Sequence, residues 1–247
     1  MKQASKIYDN HVHTQYAYCS KNSMLPDTTV KIAQDKGYGI CLAEHAGQLY
    51  VTSEDYWSAN FINRPDLIYD DATNRMDEYI SYISQFKDED VLLGLELDIN
   101  CNGEIALRDN HIDSFDMFLG AVHNIPKRFN DIDKGFLWNI DVYCDYKVDI
   151  LAHPFRIYKQ KKLPRPVHLY QIVAKSLKKH NIAVELNFHI NEPDMSFFKI
   201  CIENGVKVAF GSDAHKLSEV CSFERNIELV NEIYNGNIED ILFYYGK

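Results

Sequence analysis

Short apolar runs alternate along the chain with longer stretches whose apolar residues recur at helical spacing. The runs predict strands near 6–10, 39–43, 91–97, 116–121, 149–152, 183–187 and 207–211. Helices are expected over 26–36, 65–87, 167–180, 195–204 and 218–234, and 134–147 carries a less regular helical pattern. Pro26 opens the first of these helices and Gly37 follows it, the punctuation a helix start and stop require. The strands are mostly continuous apolar runs rather than alternating ones, which is how a parallel sheet covered by helices reads. Strand–helix alternation of this kind points to an α/β fold built from βα repeats. Seven strands suggest a barrel one unit short of the TIM type, with an open doubly wound sheet as the alternative. No G-x-G-x-x-G or Walker A sequence is present, so nucleotide folds lack their phosphate loop. No internal repeat or Gly/Pro/Ser-rich linker interrupts the chain, and one domain over residues 1–247 is the simplest expectation.

The position of the histidines changes this picture from a fold to a chemistry. Of ten histidines, six fall at or just after a predicted strand's C-terminal end: His11, His13, His45, His123, His153 and His215. Glu96 and Asp213 occupy the same kind of position. In a parallel barrel those ends converge on the functional face. A single loop histidine is ordinarily a surface or hydrogen-bonded residue, but chance does not keep this register across seven strands. Imidazole and carboxylate together suit Zn²⁺, Mn²⁺ or Fe²⁺. This many donors exceeds one tetrahedral site and suits two or three divalent ions. His11 and His13 lie two residues apart, so on a strand both side chains share a face.

These residues carry a resemblance. Asp9-x-His11-x-His13-Thr14, Glu44-His45, Gly94-Leu95-Glu96, Gly120-Ala121-Val122-His123, Ala152-His153-Pro154 and Gly211-Ser212-Asp213-Ala214-His215 resemble, in order, the motifs of the PHP (polymerase and histidinol phosphatase) family. The resemblance implies a distorted TIM-like (β/α)7 barrel and a two- or three-metal centre. By that analogy His11, His13, Glu96 and Asp213 hold one ion. Glu96 bridges to a second ion bound by His123 and His153, and His45 and His215 belong to a third. The family usually supplies a further His or Asp to the third site, five or six residues after the second histidine. Here those positions are Tyr18 and Cys19, so Cys19 is a candidate thiolate ligand, its alternative being a small buried residue. Asp9 and Glu44 resemble acids that orient ligands, or else close a strand end. Glu185 and Asn187 resemble a polar pair that faces substrate or metal-held water.

The activity implied is hydrolysis of a small phosphate monoester by hydroxide held between the metals, with Glu96 and Asp213 as the central acids. For a separate chain of this length the default ester is histidinol phosphate, of histidine biosynthesis. Arg156 and His189 join Asn187 as candidate substrate contacts. A guanidinium fork matches phosphate oxygens, and an imidazole can protonate a leaving group. Tyr16, Tyr18, Tyr50, Tyr56 and Trp57, on the loops after the first two strands, are candidates for a pocket wall, or else simply cover the barrel mouth. The alternatives are a nucleotide phosphatase or exonuclease-like enzyme, an amidohydrolase-like C–N hydrolase and a non-catalytic metal-binding module. Net charge is −10 over 247 residues, and an extended nucleic-acid partner is not expected. No apolar run reaches membrane-spanning length, and the opening MKQASKIYDN has no apolar core, so the expectation is a cytoplasmic protein without a membrane partner. The six cysteines form no C-x-x-C pair, and nothing in the sequence sets the oligomeric state.

Overall fold

The computed structural model describes residues 6–246; residues 1–5 of the opening segment lie outside it. Seven strands pair side by side in chain order, all parallel. They are β1 (Tyr8–Val12), β2 (Gly39–His45), β3 (Val91–Leu97), β4 (Met117–Gly120), β5 (Ile150–Leu151), β6 (Ala183–Leu186) and β7 (Val208–Phe210). The ring closes beyond β7, where Asp213 N donates to His11 O at 2.7 Å and His13 N to Ala214 O at 3.1 Å. Strand order without reversal, and first strand meeting last, give a nearly closed (β/α)7 barrel and rule out the doubly wound sheet.

Alternation along the strands separates two apolar layers. Ile40 and Leu42 pack outward with the helices, whereas Cys41 and Ala43 join Met117, Leu119, Ala121, Ile150, Ala152, Ala183 and Ala209 inside the barrel. Mostly small residues fill this interior, as a seven-stranded barrel has less room than one of eight. At Gly94 a Cβ would stand 3.1 Å from Met117 O and 2.5 Å from Cys41 Sγ, so the close approach needs glycine.

Helices cover the outside. They include α1 (Pro26–Asp35), α6 (Ile132–Tyr146), α8 (Tyr170–His180), α9 (Met195–Glu203) and α10 (Glu224–Ile233). The less regular 134–147 pattern corresponds to α6, which Asp131 caps by accepting from Asp133 N and Lys134 N. Three sequence expectations need correction. The first strand begins two residues later than 6–10, which brings His11 into it. The helix expected over 65–87 is broken into a 3-10 turn at Pro65–Tyr69, α5 (Met76–Ile83) and a turn at Ser84–Phe86. Asp70 and Asn74 cause the break, accepting from Ala72 N and Met76 N and so diverting the backbone from helix. The last helix starts at Glu224 rather than 218. Between β2 and β3 the chain also makes α2 (Ala46–Tyr50), α3 (Ser53–Trp57) and α4 (Asn60–Asn63), and α7 (Arg156–Gln160) follows β5.

Candidate metal centre

The strand ends deliver the expected residues to one place. His45 on β2 and Glu96 on β3 are register partners. Glu96 is the hub: Oε1 lies 2.7 Å from His153 Nε2 and 3.1 Å from His123 Nε2. Its Oε2 lies 2.6 Å from His45 Nδ1, 3.5 Å from His11 Nε2 and 3.7 Å from His13 Nε2. Asp213 Oδ1 lies 3.0 Å from His13 Nε2 and 3.8 Å from His11 Nε2. His11, His13 and Asp213 form one potential metal cluster, His45, Glu96 and His123 a second, and His13, His45 and His215 a third. His45 therefore belongs to two clusters, Nδ1 toward Glu96 and Nε2 toward Cys19 at 3.5 Å. Cys19 Sγ is also 3.1 Å from His215 Nε2.

Around these side chains stands a set of acceptors that fixes the rings. His11 Nδ1 donates to Glu185 at 2.8 Å, His13 Nδ1 to Glu44 at 3.1 Å, His123 Nδ1 to Asp98 at 3.0 Å and His215 Nδ1 to the Asp213 carbonyl at 2.8 Å. Carboxylates and carbonyls only accept, so each of these rings carries a proton on Nδ1; His13 Nε2 and His123 Nε2 also face carboxylates and would give up their own proton to bind an ion. This is how metal-binding histidines are held. Glu44 also accepts from Thr14 N, Thr14 Oγ1 and His45 N, and so serves as the orienting acid that the sequence suggests. Asp9 takes the other role open to it: it accepts from Ser212 N and Cys221 N and ties the first strand to the segment after β7. Burial, partly offset by these bonds, raises its carboxyl to about 6.

Two ligand candidates sit in left-handed backbone, His153 at φ +25° and Asp213 at φ +51°. Such conformations cost roughly 1–3 kcal/mol each and persist only where neighbours impose them. Here Glu185 Oε2 holds His153 N at 2.6 Å and His11 O holds Asp213 N.

The electrostatics call for added positive charge. Glu44, Glu96, Asp98, Glu185 and Asp213 are buried, with Arg156 as the buried permanent cation beside them. Burial opposes the charged form of His13, but the hydrogen bonds its ring donates to Asp213 and Glu44 outweigh it and raise the ring to about 9. His123 is raised to about 10 by Glu96 and Asp98, again against burial. Burial and then Arg156 lower His153 to about 4; burial and then His13 lower His215 to about 3. Burial would raise Asp213, yet Arg156, His11 and His13 hold it well below the carboxylate range. His11 Nε2 is buried without a hydrogen-bond partner, and Glu96 Oε2, although 2.6 Å from His45 Nδ1, accepts no hydrogen bond of good geometry. Unpartnered donor atoms facing one another, with excess acid around them, fit divalent cations.

The centre opens into a cavity of about 290 Å³ lined by Cys19, His45, His123, Asp213 and His215, with Tyr56, Trp57, Arg156, His189 and Ile190 also on its wall. That size admits a small molecule. Arg156 Nη2 donates to Asp213 Oδ2 at 2.6 Å, to Asn187 Oδ1 at 3.2 Å and to His189 O at 3.0 Å. Asn187 is fully buried and also accepts from His189 N. Asn187 thus braces Arg156 and the turn carrying His189. Of the loop aromatics, Tyr56 and Trp57 line the cavity, whereas Tyr16, Tyr18 and Tyr50 bond to Glu78, the Val51 carbonyl and His111. Sequence reasoning missed Asp98, two residues past Glu96 on the same face, and Glu219, which accepts from His215 N and lies 3.5 Å from His189 Nδ1.

No family model matches the chain. It is 23% identical over 257 residues to a Caldicellulosiruptor saccharolyticus protein named Probable phosphatase, covering 95% of this chain and 93% of that one. Its fold matches the histidinol phosphate phosphatase of Lactococcus lactis, solved with zinc, L-histidinol and phosphate, with TM-score 0.57, 16% identity and coverage of 92% and 94%. What the chain shares with that structure is its fold. The Listeria monocytogenes structure described as a putative histidinol phosphatase gives TM-score 0.59, 13% identity and coverage of 89% and 99%. Shared architecture along nearly the whole of each chain accords with PHP-type motifs spanning residues 9 to 215. Among the described residues, no helix is long and apolar enough to cross a membrane.

Proposed function

We propose that this protein is a metal-dependent phosphatase that hydrolyses a small phosphate monoester, with histidinol phosphate the foremost ester to test. The observation that carries the proposal is the set of histidines held through Nδ1 with Nε2 converging on Glu96 and Asp213 beside a small cavity. The phosphatase names of the relatives, and the ligands of the Lactococcus protein, support the same reading. His11, His13, Glu96 and Asp213 would hold one ion, Glu96, His123 and His153 a second, and His45 and His215 would serve a third. Divalent ions bound there would supply an activated water and neutralise charge on the phosphoryl group.

The chain's own residues do the rest. Glu185, Glu44 and Asp98 orient the ligand rings before substrate arrives, so no reorganisation is needed at the reacting centre. Arg156 keeps Asp213 ionised and in place, and its charge on the cavity wall favours an anionic ester. His189 lies on that wall with Glu219 beside its Nδ1, and would be the imidazole available to protonate a leaving group. Tyr56 and Trp57 leave room for a compact organic portion. A cytoplasmic setting, where thiols stay reduced, is part of the proposal, as are Zn²⁺, Mn²⁺ or Fe²⁺ as the working ions.

The test is phosphate release from histidinol phosphate, nucleoside monophosphates and p-nitrophenyl phosphate, each with added Zn²⁺, Mn²⁺ or Fe²⁺, beside a panel of amides. Ester hydrolysis abolished by chelator and restored by metal is expected. Amide cleavage without ester cleavage would overturn the reading.

A further inference from the structure

We propose that Trp57, Ile190, Asn124 and Gln160 form a ring-binding wall that selects phosphate esters whose alcohol part carries a flat, uncharged heteroaromatic ring over esters without one. The inference rests on the phosphatase reading of the adjoining centre and adds to it the residues that choose the ester. All four line the same cavity of about 290 Å³ as Arg156 and the candidate ligands. Trp57 is 59% exposed and Ile190 69% exposed, although both are large and apolar. A single exposed apolar side chain is ordinary, but two on the wall of a cavity that also holds a buried cation are what the organic portion of a ligand covers.

Both side chains are held in place by their surroundings. Ile190 has φ +47°, a left-handed conformation that a β-branched residue rarely adopts. Its turn imposes this: Asn187 Oδ1 accepts from His189 N at 2.8 Å, Asn191 Nδ2 donates to Asn187 O at 3.2 Å, and Arg156 Nη2 donates to His189 O at 3.0 Å. Glycine or asparagine would suit that backbone better, so the isoleucine side chain serves something other than the turn. Trp57 packs edge-on against Tyr56 with ring centroids 5.2 Å apart, and Tyr56 stacks on the buried Phe61 ring at 5.3 Å. The Tyr56 hydroxyl lies 3.3 Å from His45 Nδ1, which ties the aromatic wall to the metal centre.

The chemistry of the wall suits a ring. An indole face stacks on any flat aromatic system, and isoleucine adds apolar contact. The Asn124 and Gln160 side-chain amides make no hydrogen bond among the described residues. Each offers donors and an acceptor to the nitrogen and oxygen atoms at a ring's edge. Among the described residues lining the cavity the one acid is Asp213, already bonded to Arg156 and His13, so the wall favours a neutral ring over a cationic one. A glycerol chain in the same place would leave the indole and the isoleucine facing water.

The test measures kcat/KM for adenosine monophosphate and histidinol phosphate relative to glycerol 3-phosphate in metal-loaded full-length wild type, Trp57→Ala and Ile190→Asn. The wild type is expected to favour the ring-bearing esters by at least about tenfold. Trp57→Ala should cut that ratio at least about fivefold, through KM rather than kcat. Ile190→Asn should also cut it, yet unfold no earlier than the wild type, because asparagine tolerates the left-handed turn. Equal use of the three esters by the wild type overturns the proposal and leaves the phosphatase reading in place. So does an undiminished ratio in either variant, or an Ile190→Asn protein that unfolds well below the wild type. Ring binding is also read without turnover. Trp138→Phe leaves Trp57 as the one tryptophan of the chain, and adenosine should quench its emission while glycerol does not. Quenching by adenosine in protein that hydrolyses no ester supports the wall and removes the phosphatase reading alone; emission unmoved by adenosine overturns the proposal.

Discussion

Glu185 Oε1 lies 2.8 Å from His11 Nδ1, joining the sixth strand to the first across the barrel mouth. The other oxygen of the same carboxylate holds His153 N. One buried acid thus holds two candidate ligands, His11 by its ring and His153 by its backbone N. Glu185→Gln is expected to lower metal affinity about 10- to 100-fold, the cost of losing a supporting partner of a ligand histidine. Gly211→Ala should do the same by another route, because a Cβ there would collide with Glu185 Oε1. Metal-competition titrations read both; unchanged affinity in Glu185→Gln would show that His11 keeps its orientation without this acid.

Glu96 touches more of the site's histidines than any single acid around it, and its replacement should be the more severe. Glu96→Gln is expected to lose bound metal and to reduce ester hydrolysis by more than about a hundredfold, beyond the effect of a supporting residue. Metal content and turnover, measured on the same preparation, check this. Full activity in the variant would remove Glu96 from the centre.

Arg156 and Asp213 form a buried pair at 2.6 Å. Removing one partner leaves an uncompensated buried charge, which costs about 3–5 kcal/mol. Arg156→Ala should lose that much stability in metal-stripped protein under denaturant, and should also raise KM for an anionic ester in the metal-loaded protein. A loss below about 1 kcal/mol would mean that Asp213 is compensated elsewhere.

Asp194 caps α9 by accepting from Ser196 N, and also accepts from Tyr170 Oη and Arg165. Burial pushes its carboxyl up, but Ser196, Tyr170 and Arg165 together bring it below the usual value. A depressed folded pKa contributes stability above the unfolded value of about 3.9 and loses it as pH falls through the folded one. Asp194→Ala should therefore cost about 1 kcal/mol near neutrality, with the gap to wild type closing in acid. Urea melts over a pH series read it; a gap that does not change with pH would assign the effect to packing.

Much of the architecture was legible because strand ends and ligands coincide. His11, His45, Glu96, His123, His153 and Asp213 were placed by local pattern, and the structure brings them together. What was not legible depends on contacts remote in sequence. Glu185 read as facing substrate or metal-held water, and it holds the His11 ring across 174 positions. Asp98, just past the apolar run 91–97, drew no reading at all, although it holds His123. Arg156 read as a substrate fork, while three of its bonds go to Asp213, Asn187 and His189. The helix expected over 65–87 failed for a local reason, the backbone bonds of Asp70 and Asn74, which periodicity does not register.

The most direct test of the account is elemental analysis of protein purified without chelator. About two or more divalent ions per chain are predicted, as a shared bridging acid requires. Substantially less than one ion, not recovered on adding Zn²⁺, Mn²⁺ or Fe²⁺, would contradict the metal centre and the activity built on it.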